Sequence, residues 1–172
     1  MNPQNPPPDL SALPCHDVKP HGAADFYHGT NATFAFIKKN LGMEELIRYW
    51  RELGTDYMKP VWERWKKTGL EGIETYWRAF FSVEPGSNVC VSRSEDEVAV
   101  EVAECPAIKH FRTAGRVVCP EYCQHCYYMH EAAAEKAGFT TRVTGGNGSC
   151  RQRFFAATAN QEPQNIEEIE LC

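Results

Sequence analysis

The hydrophobic period first changes from helical to alternating near Asn88, and that change constrains the fold more than any other feature. Before it, apolar residues recur at helical spacing: Phe34, Ile37 and Leu41, then Leu46, Tyr49, Trp50, Leu53 and Tyr57 after a break at Gly42. Pro60 is expected to kink or restart the helix. Trp62 and Trp65 lead to a stop at Thr68-Gly69, and a last helix carries Leu70, Ile73, Tyr76, Trp77, Phe80 and Phe81 as far as Pro85-Gly86. So many aromatic rings form a core, or some of them wall an apolar pocket. After Asn88 the alternation of NVCVSR and EVAVEVAE around Ser94-Glu95-Asp96 predicts a hairpin, with Val98, Val100 and Val102 on one face. A short helix, AIKHFRTAG, follows Pro106, and a second runs from about Pro120 to Lys136 with Gly138 as its cap. TTRV and SCRQRFF then flank Gly145-Gly146-Asn147-Gly148, a strong hairpin-turn signal.

These elements predict an α+β domain: an N-terminal helical segment packed on an antiparallel sheet of two hairpins, with two helices between the hairpins. The expected organisation is a flexible Pro-rich arm over 1–25, a single domain over 26–157, and an acidic tail over 158–172. Within the domain, 26–86 is helical and 87–157 runs strand–strand–helix–helix–strand–strand. The tail is expected to be solvated, with IEEIEL as a candidate edge element. A chain of 172 residues suits one such domain.

The net charge of −5 gives no electrostatic reason to expect nucleic acid. No apolar run approaches the ~20 residues that span a membrane. MNPQNPPPDLSALP lacks the basic and apolar regions of a secretory signal, so the expected compartment is the reducing cytoplasm. Clustered cysteines there are metal ligands or reactive thiols more often than disulfides. The eight cysteines would allow disulfides in an exported protein. Asn31-Ala32-Thr33 and Asn147-Gly148-Ser149 read as chance glycosylation sequons in a cytoplasmic chain.

Residues 119–126 read CPEYCQHC, with His130 four positions on. A helix beginning at Pro120 would put Cys119 at its N-cap and line Cys119, Cys123, Cys126 and His130 along one stripe. Gln124 and His125 would point elsewhere. One straight helix cannot wrap four ligands around an ion, so a zinc site would add strand-end residues. That gives Cys105, Cys123, Cys126 and Cys150 as a candidate metal set. Cys15, His16 and His21 in the arm are either an ordinary tail or a further source of a ligand. A second reading is a reactive thiol, since a helix N-terminus favours a thiolate at Cys119 or Cys123. His110, His125 or His130 would serve as base, and Glu121 and Glu131 would oppose ionisation if close. A third is buried free cysteine, for which Cys90 and Cys172 are the best candidates. The Cys-x3-Cys-x2-Cys spacing of radical enzymes is set aside, because the stretch after Cys126 is too short for a barrel of about 200 residues or more.

On the last strand, Arg151 and Arg153 share a face opposite Cys150 and Gln152. They either clamp a carboxylate or form a solvated strand face. The GGNGS turn is able to offer amides to an anion, although a hairpin alone accounts for its glycines.

In order, ECPAIKHF, the YCQHC helix, AGF with its strand, and GGNGSCRQRF resemble the L-2-amino-thiazoline-4-carboxylic acid hydrolase-like family. That family is itself distantly similar to 4-vinyl reductase-type ligand-binding domains. The resemblance covers roughly 26–157 and is firmest from Cys105 to Phe154. It implies an α+β domain with a small-molecule pocket between helices and sheet, and hydrolysis of a small ring acid containing sulfur and nitrogen. Cys105, Cys123, Cys126 and Cys150 carry over as site residues. Family members tend to have an acidic residue where this chain has His125-Cys126. That departure, and the cysteine-bound structural zinc of the 4-vinyl reductase group, point towards zinc. The expected function is hydrolysis of a C–N or C–S bond in a carboxylate-bearing heterocycle. Cys123 or a zinc-bound water attacks, His110 or His125 moves protons, and Arg151 or Arg153 holds the carboxylate. The alternative is a non-catalytic small-ligand or metal sensor with cysteine-ligated zinc. The partners expected are a small-molecule carboxylate and neither nucleic acid nor membrane, with a homodimer left open.

Overall fold

A computed structural model describes residues 25–84, 87–158 and 162–172. The arm, with Cys15, His16 and His21, lies outside them, as do Pro85 and Gly86. Three helices come first: α1 (Asp25–Leu41), α2 (Met43–Glu52) and α3 (Lys59–Val83). Gly42 separates the first two with a φ of 94°, a value few side chains tolerate. Pro60 sits in the first turn of α3, where its missing N–H costs nothing. The expected stop at Gly69 is a break inside α3, with φ 65° and ψ −149°.

Between α2 and α3, Leu53–Tyr57 wind as a π-helical turn. The extra residue in that turn rotates Tyr57 off the expected apolar stripe, and its ring is 75% exposed. Close packing explains the turn. A Cβ on Gly54 would stand 2.1 Å from the Met129 carbonyl oxygen and 2.8 Å from the Ala132 Cβ.

The sheet contains β1 (Asn88–Arg93), β2 (Glu97–Glu104), β3 (Phe139–Gly146), β4 (Ser149–Ala156) and β5 (Ile169–Glu170), in the order β1-β2-β4-β3-β5. The first four strands are antiparallel, and the hairpins meet where β2 pairs β4, with Val98 opposite Phe154 and Val102 opposite Cys150. Between the hairpins come α4 (Pro106–Thr113), a 3-10 turn (Pro120–Cys123) and α5 (Gln124–Ala137). Gly138 ends α5 in the left-handed region. This is the expected α+β layer.

The tail departs from the solvated reading. Its β5 adds to the sheet edge in parallel, pairing Gly145 with Ile169 and Gly146 with Glu170. Only a glycine permits this, because a Cβ on Gly146 would lie 2.2 Å from the Glu170 carbonyl oxygen. Gln164 also accepts from the Val143 amide at 2.9 Å, so the edge strand finds side-chain and main-chain partners in the tail.

Two hydrophobic cores result. In one, Trp65, Ile73 and Trp77 of α3 and three alanines of α5 cover the inner face of the sheet, built from Val91, Val98, Val100 and Phe154. In the other, Phe34, Leu46 and Trp50 pack with Ile108, Phe111 and Tyr122. Cys105 packs against both cores, which places the thiols at their junction. No described helix is long and apolar enough to cross a membrane.

Candidate thiolate site at the start of α5

Cys123 ends the 3-10 turn and is the N-cap of α5. The α-helix therefore starts four residues later than the sequence suggests. The loop before it is tied to α1: Asn31 Nδ2 donates to the Val117 carbonyl at 3.0 Å, and its Oδ1 accepts from the Cys119 amide at 2.8 Å. Pro120 then starts the tighter winding. Cys119 falls off the expected stripe and is buried in the second core. Cys123, Cys126 and His130 remain on the side facing β4, where His130 Nδ1 donates to Gln152 Oε1 at 2.9 Å.

Asn147 and Gly148 are the central residues of the β3–β4 turn, with φ 49° and 105°. In such a turn their two N–H groups have no partner in the strand ladder. Both lie near enough to the Cys123 sulfur to favour its anion. The turn is the expected hairpin. Arg112, in the last turn of α4, donates to the Asn147 carbonyl at 2.9 Å and to its Oδ1 at 2.5 Å. The Cys105 amide donates to the Gly148 carbonyl at 2.8 Å, so the turn is fixed from two sides. Cys172, beyond β5, places its sulfur 3.0 Å from that of Cys123.

The thiol donated by Cys172 is the main influence lowering the Cys123 pKa, and the Asn147 and Gly148 amides and the Arg112 charge act in the same direction against burial. Every other perturbed thiol nearby moves upward. Cys172 is raised by its bond to Cys123, while burial raises Cys105, Cys119 and Cys126 and pushes Cys150 up to about 12. The arrangement favours ionisation of Cys123 over that of the thiols around it. Glu121 accepts from the Cys119 thiol at 3.5 Å and pairs with Lys38, and both its charge and that bond oppose ionisation of Cys119, as expected of a close carboxylate. Glu131 accepts from Thr140 Oγ1 at 2.7 Å, on the β3 side.

Cys105, Cys123, Cys126 and Cys150 share one neighbourhood, since Cys126 feels the charges of the other three. Zinc would need three or four sulfurs about one point. Among the described residues, no three cysteine, histidine, aspartate or glutamate side chains are placed to hold one ion. Cys126 Sγ lies 3.8 Å from His125 Nε2, and Gln152 Nε2 donates to Cys150 Sγ at 3.8 Å. Cys123 is turned to Cys172 and the turn amides. As placed, the four sulfurs do not fit one ion.

The remaining site residues expected from sequence lie apart from Cys123. His110 is hydrogen-bonded at 3.0 Å to His28. His125 donates from Nδ1 to the Tyr122 carbonyl, packs against Phe34 and Tyr122, and is pushed down to about 4 by burial. Neither histidine has a described hydrogen bond to Cys123. Arg151 and Arg153 lie on the open face of the sheet, where both pair with Glu97 and Arg151 also meets Glu101. The sheet separates them from the thiols, so the solvated-face alternative describes them. The cation whose charge reaches Cys123 is Arg112 on α4. A groove of about 310 Å³ runs along Glu104, Cys105, Ile108, Lys109, Arg112 and Gly148, with Lys109 paired to Glu104 at 2.7 Å.

Sequence reasoning missed Cys172 and Arg112. A free amide pair in an Asn-Gly turn was the available signal for what the turn does. Nothing local to Cys172 shows that it meets a residue 49 positions earlier. No protein-family model matches this sequence, and no curated protein matches it.

Proposed function

We propose that this chain is a thiolate enzyme in which Cys123 attacks an electrophilic carbon of a small, carboxylate-bearing heterocycle, leading to hydrolysis of its C–N or C–S bond. The observation that carries the reading is the surround of Cys123: two turn amides, the Arg112 guanidinium and the Cys172 thiol all favour its anion. Such a thiol is a nucleophile near neutral pH without a histidine base. The groove lined in part by Arg112 and Gly148, two of the groups that favour the Cys123 anion, has space for a small ring. Lys109 is paired there with Glu104 at 2.7 Å, so Arg112 supplies the charge for a carboxylate, the role first expected of Arg151 and Arg153. In the reaction, the Cys123 sulfur forms a bond to the ring carbon. The C–N or C–S bond breaks, its electron pair leaves on nitrogen or sulfur, and that atom takes a proton from solvent. Water then cleaves the acyl-type intermediate and returns the thiolate. The resemblance over Cys105–Phe154 supports the same substrate class. A reducing cytoplasm keeps the thiols free for this chemistry.

The test pairs a reactivity map with an assay. Reduced protein is treated with iodoacetamide at pH 7 and the modified peptides are quantified. Hydrolysis of 2-aminothiazoline-4-carboxylate is then followed for wild type and Cys123→Ala. The expected result is alkylation of Cys123 at least tenfold faster than of any other cysteine, and loss of hydrolysis in the variant. Equal reactivity of all the thiols, full hydrolysis by Cys123→Ala, or one bound zinc per chain shielding Cys105, Cys123, Cys126 and Cys150 would overturn the proposal.

A further inference from the structure

In the hydrolytic scheme Cys172 only favours the Cys123 anion and forms no bond to substrate, yet the fold holds it firmly. Its amide donates to the Pro120 carbonyl at 2.8 Å, and β5 just before it is paired with Gly145 and Gly146. These contacts bring its sulfur to 3.0 Å from the Cys123 sulfur, within about 1 Å of a disulfide bond length. Among the described residues no other two thiols are hydrogen-bonded to one another. A thiol set against a more anionic thiol, with Arg112 and Gly148 linking the anionic one to a nearby groove, has the layout of an attacking and a resolving pair.

We propose that Cys123 and Cys172 form a thiol–disulfide exchange pair that reduces small carboxylate-bearing disulfides, with Cys123 attacking and Cys172 resolving. The inference rests on the Cys123 thiolate described above and not on hydrolysis. In the first step the Cys123 sulfur bonds to one sulfur of the substrate, the substrate S–S bond breaks, and one thiolate departs. In the second, Cys172 gives up its proton to solvent and its sulfur attacks that of Cys123. The mixed disulfide breaks and the second thiolate departs. The substrate disulfide gains two electrons and the protein dithiol loses two, so the balance closes without another reactant.

The surround orders the two steps. While Cys123 is anionic, its sulfur holds the proton on Cys172 and keeps that thiol idle. Once Cys123 is a neutral mixed disulfide, that hold is gone and Cys172 is free to ionise and attack. The turn amides and Arg112 stabilise Cys123 as a leaving thiolate, which makes the protein disulfide easier to reduce again. Arg112, beside Cys105 and Gly148, offers a cationic contact to a substrate carboxylate, as in oxidised glutathione, while Lys109 is paired with Glu104 on the same groove.

The experiment uses the full chain, fully reduced, with oxidised glutathione as the probe, quenched by alkylation and mapped by mass spectrometry. Wild type is expected to end as a Cys123–Cys172 disulfide with two equivalents of glutathione thiol released. Cys172→Ser and Cys172→Ala, each checked for folding by thermal unfolding, are expected to stop at a mixed disulfide on Cys123 with one equivalent released. Cys123→Ser should react at least tenfold more slowly. Wild type that hydrolyses the aminothiazoline but forms no Cys123–Cys172 disulfide overturns this pair alone. Wild type that forms the disulfide without hydrolysis supports the pair and overturns only the hydrolytic reading. A disulfide between any other two cysteines, or the same end product in the Cys172 variants as in wild type, overturns the pair.

Discussion

At the scale of single residues, charge and burial select among chemically equal thiols. The thiol of Cys123 sits in the same neighbourhood as Cys105, Cys126 and Cys150, yet it alone is shifted downward, because donors and a guanidinium face its sulfur. Its alkylation rate should therefore level off at a pH below the ordinary thiol value of about 8.5. Arg112→Ala removes the positive charge and loosens the Asn147 turn, so the Cys123 pKa rises. At pH 7 its alkylation should slow by about threefold to tenfold, while Cys119 is unaffected. His130 makes the opposite kind of statement. Burial holds it neutral, with its pKa down at about 3, against Trp77 and bonded to Gln152. Below the unfolded value of about 6.5 the unfolded chain takes a proton that the folded chain refuses. Stability is full above that pH and falls as pH drops towards 3, by up to about 1.4 kcal/mol per pH unit. Urea titrations at pH 7 and 5 should show His130→Gln to be weaker at pH 7 by about 1–3 kcal/mol and less sensitive to the acid shift. The sequence marked His130 and Cys123 as neighbours on one stripe, but burial separates their roles and no spacing rule carries burial.

At the scale of elements, the first hairpin was readable to the residue from its alternation, and the second in place from its Asn-Gly turn although β3 runs three residues further, to Gly146, than TTRV suggested. The starts of the α5 helix and the π turn were not. The first depends on Asn31 holding the loop before Pro120, and the second on Gly54 lying against the Met129 carbonyl, both contacts between distant segments. The tail was read as solvated for the same reason: β5 is two residues long and forms only against a glycine edge. Arg151 and Arg153 were placed on the right face, but the carboxylates they meet are Glu97 and Glu101 of the chain itself. Gly146 tests how the edge serves the site. Gly146→Val sets a side chain where the Glu170 carbonyl now lies, and should detach β5 at a cost of about 1–3 kcal/mol. Cys172 then leaves Cys123. Two readings follow together: the Cys123 alkylation profile moves to higher pH, and the Cys123–Cys172 disulfide no longer forms. A variant that loses β5, shown by exchange of the Val143 and Gly145 amides, but keeps the low-pH profile would show that the turn amides and Arg112 suffice without Cys172.

At the scale of the whole molecule, the thiols matter because they sit where two cores meet. One core joins α3 and α5 to the sheet, and the other gathers α1, α2 and α4 around Phe111 and Tyr122. Cys123 caps the helix that both cores share, and Cys172 lies two residues beyond the strand segment that closes the sheet edge. A bond between them ties the segment most easily detached to the element least easily moved. The loop so closed spans 49 residues, and in the chain-entropy account restricting it in the unfolded state stabilises the fold by about 4 kcal/mol. For a domain of this size that corresponds to a rise in Tm on the order of 10 °C. Because the two sulfurs already lie 3.0 Å apart, forming the bond asks little movement of the folded chain, and most of the gain should survive. Thermal unfolding of oxidised and reduced wild type should show this rise, and Cys172→Ser should show none. Treating the oxidised protein with a reductant should return its Tm to the reduced value. A rise of a degree or less would mean that β5 stays docked in the unfolded chain or that the closed bond strains the junction. The second account would be separated from the first by faster amide exchange at Gly145 and Gly146 in the oxidised form.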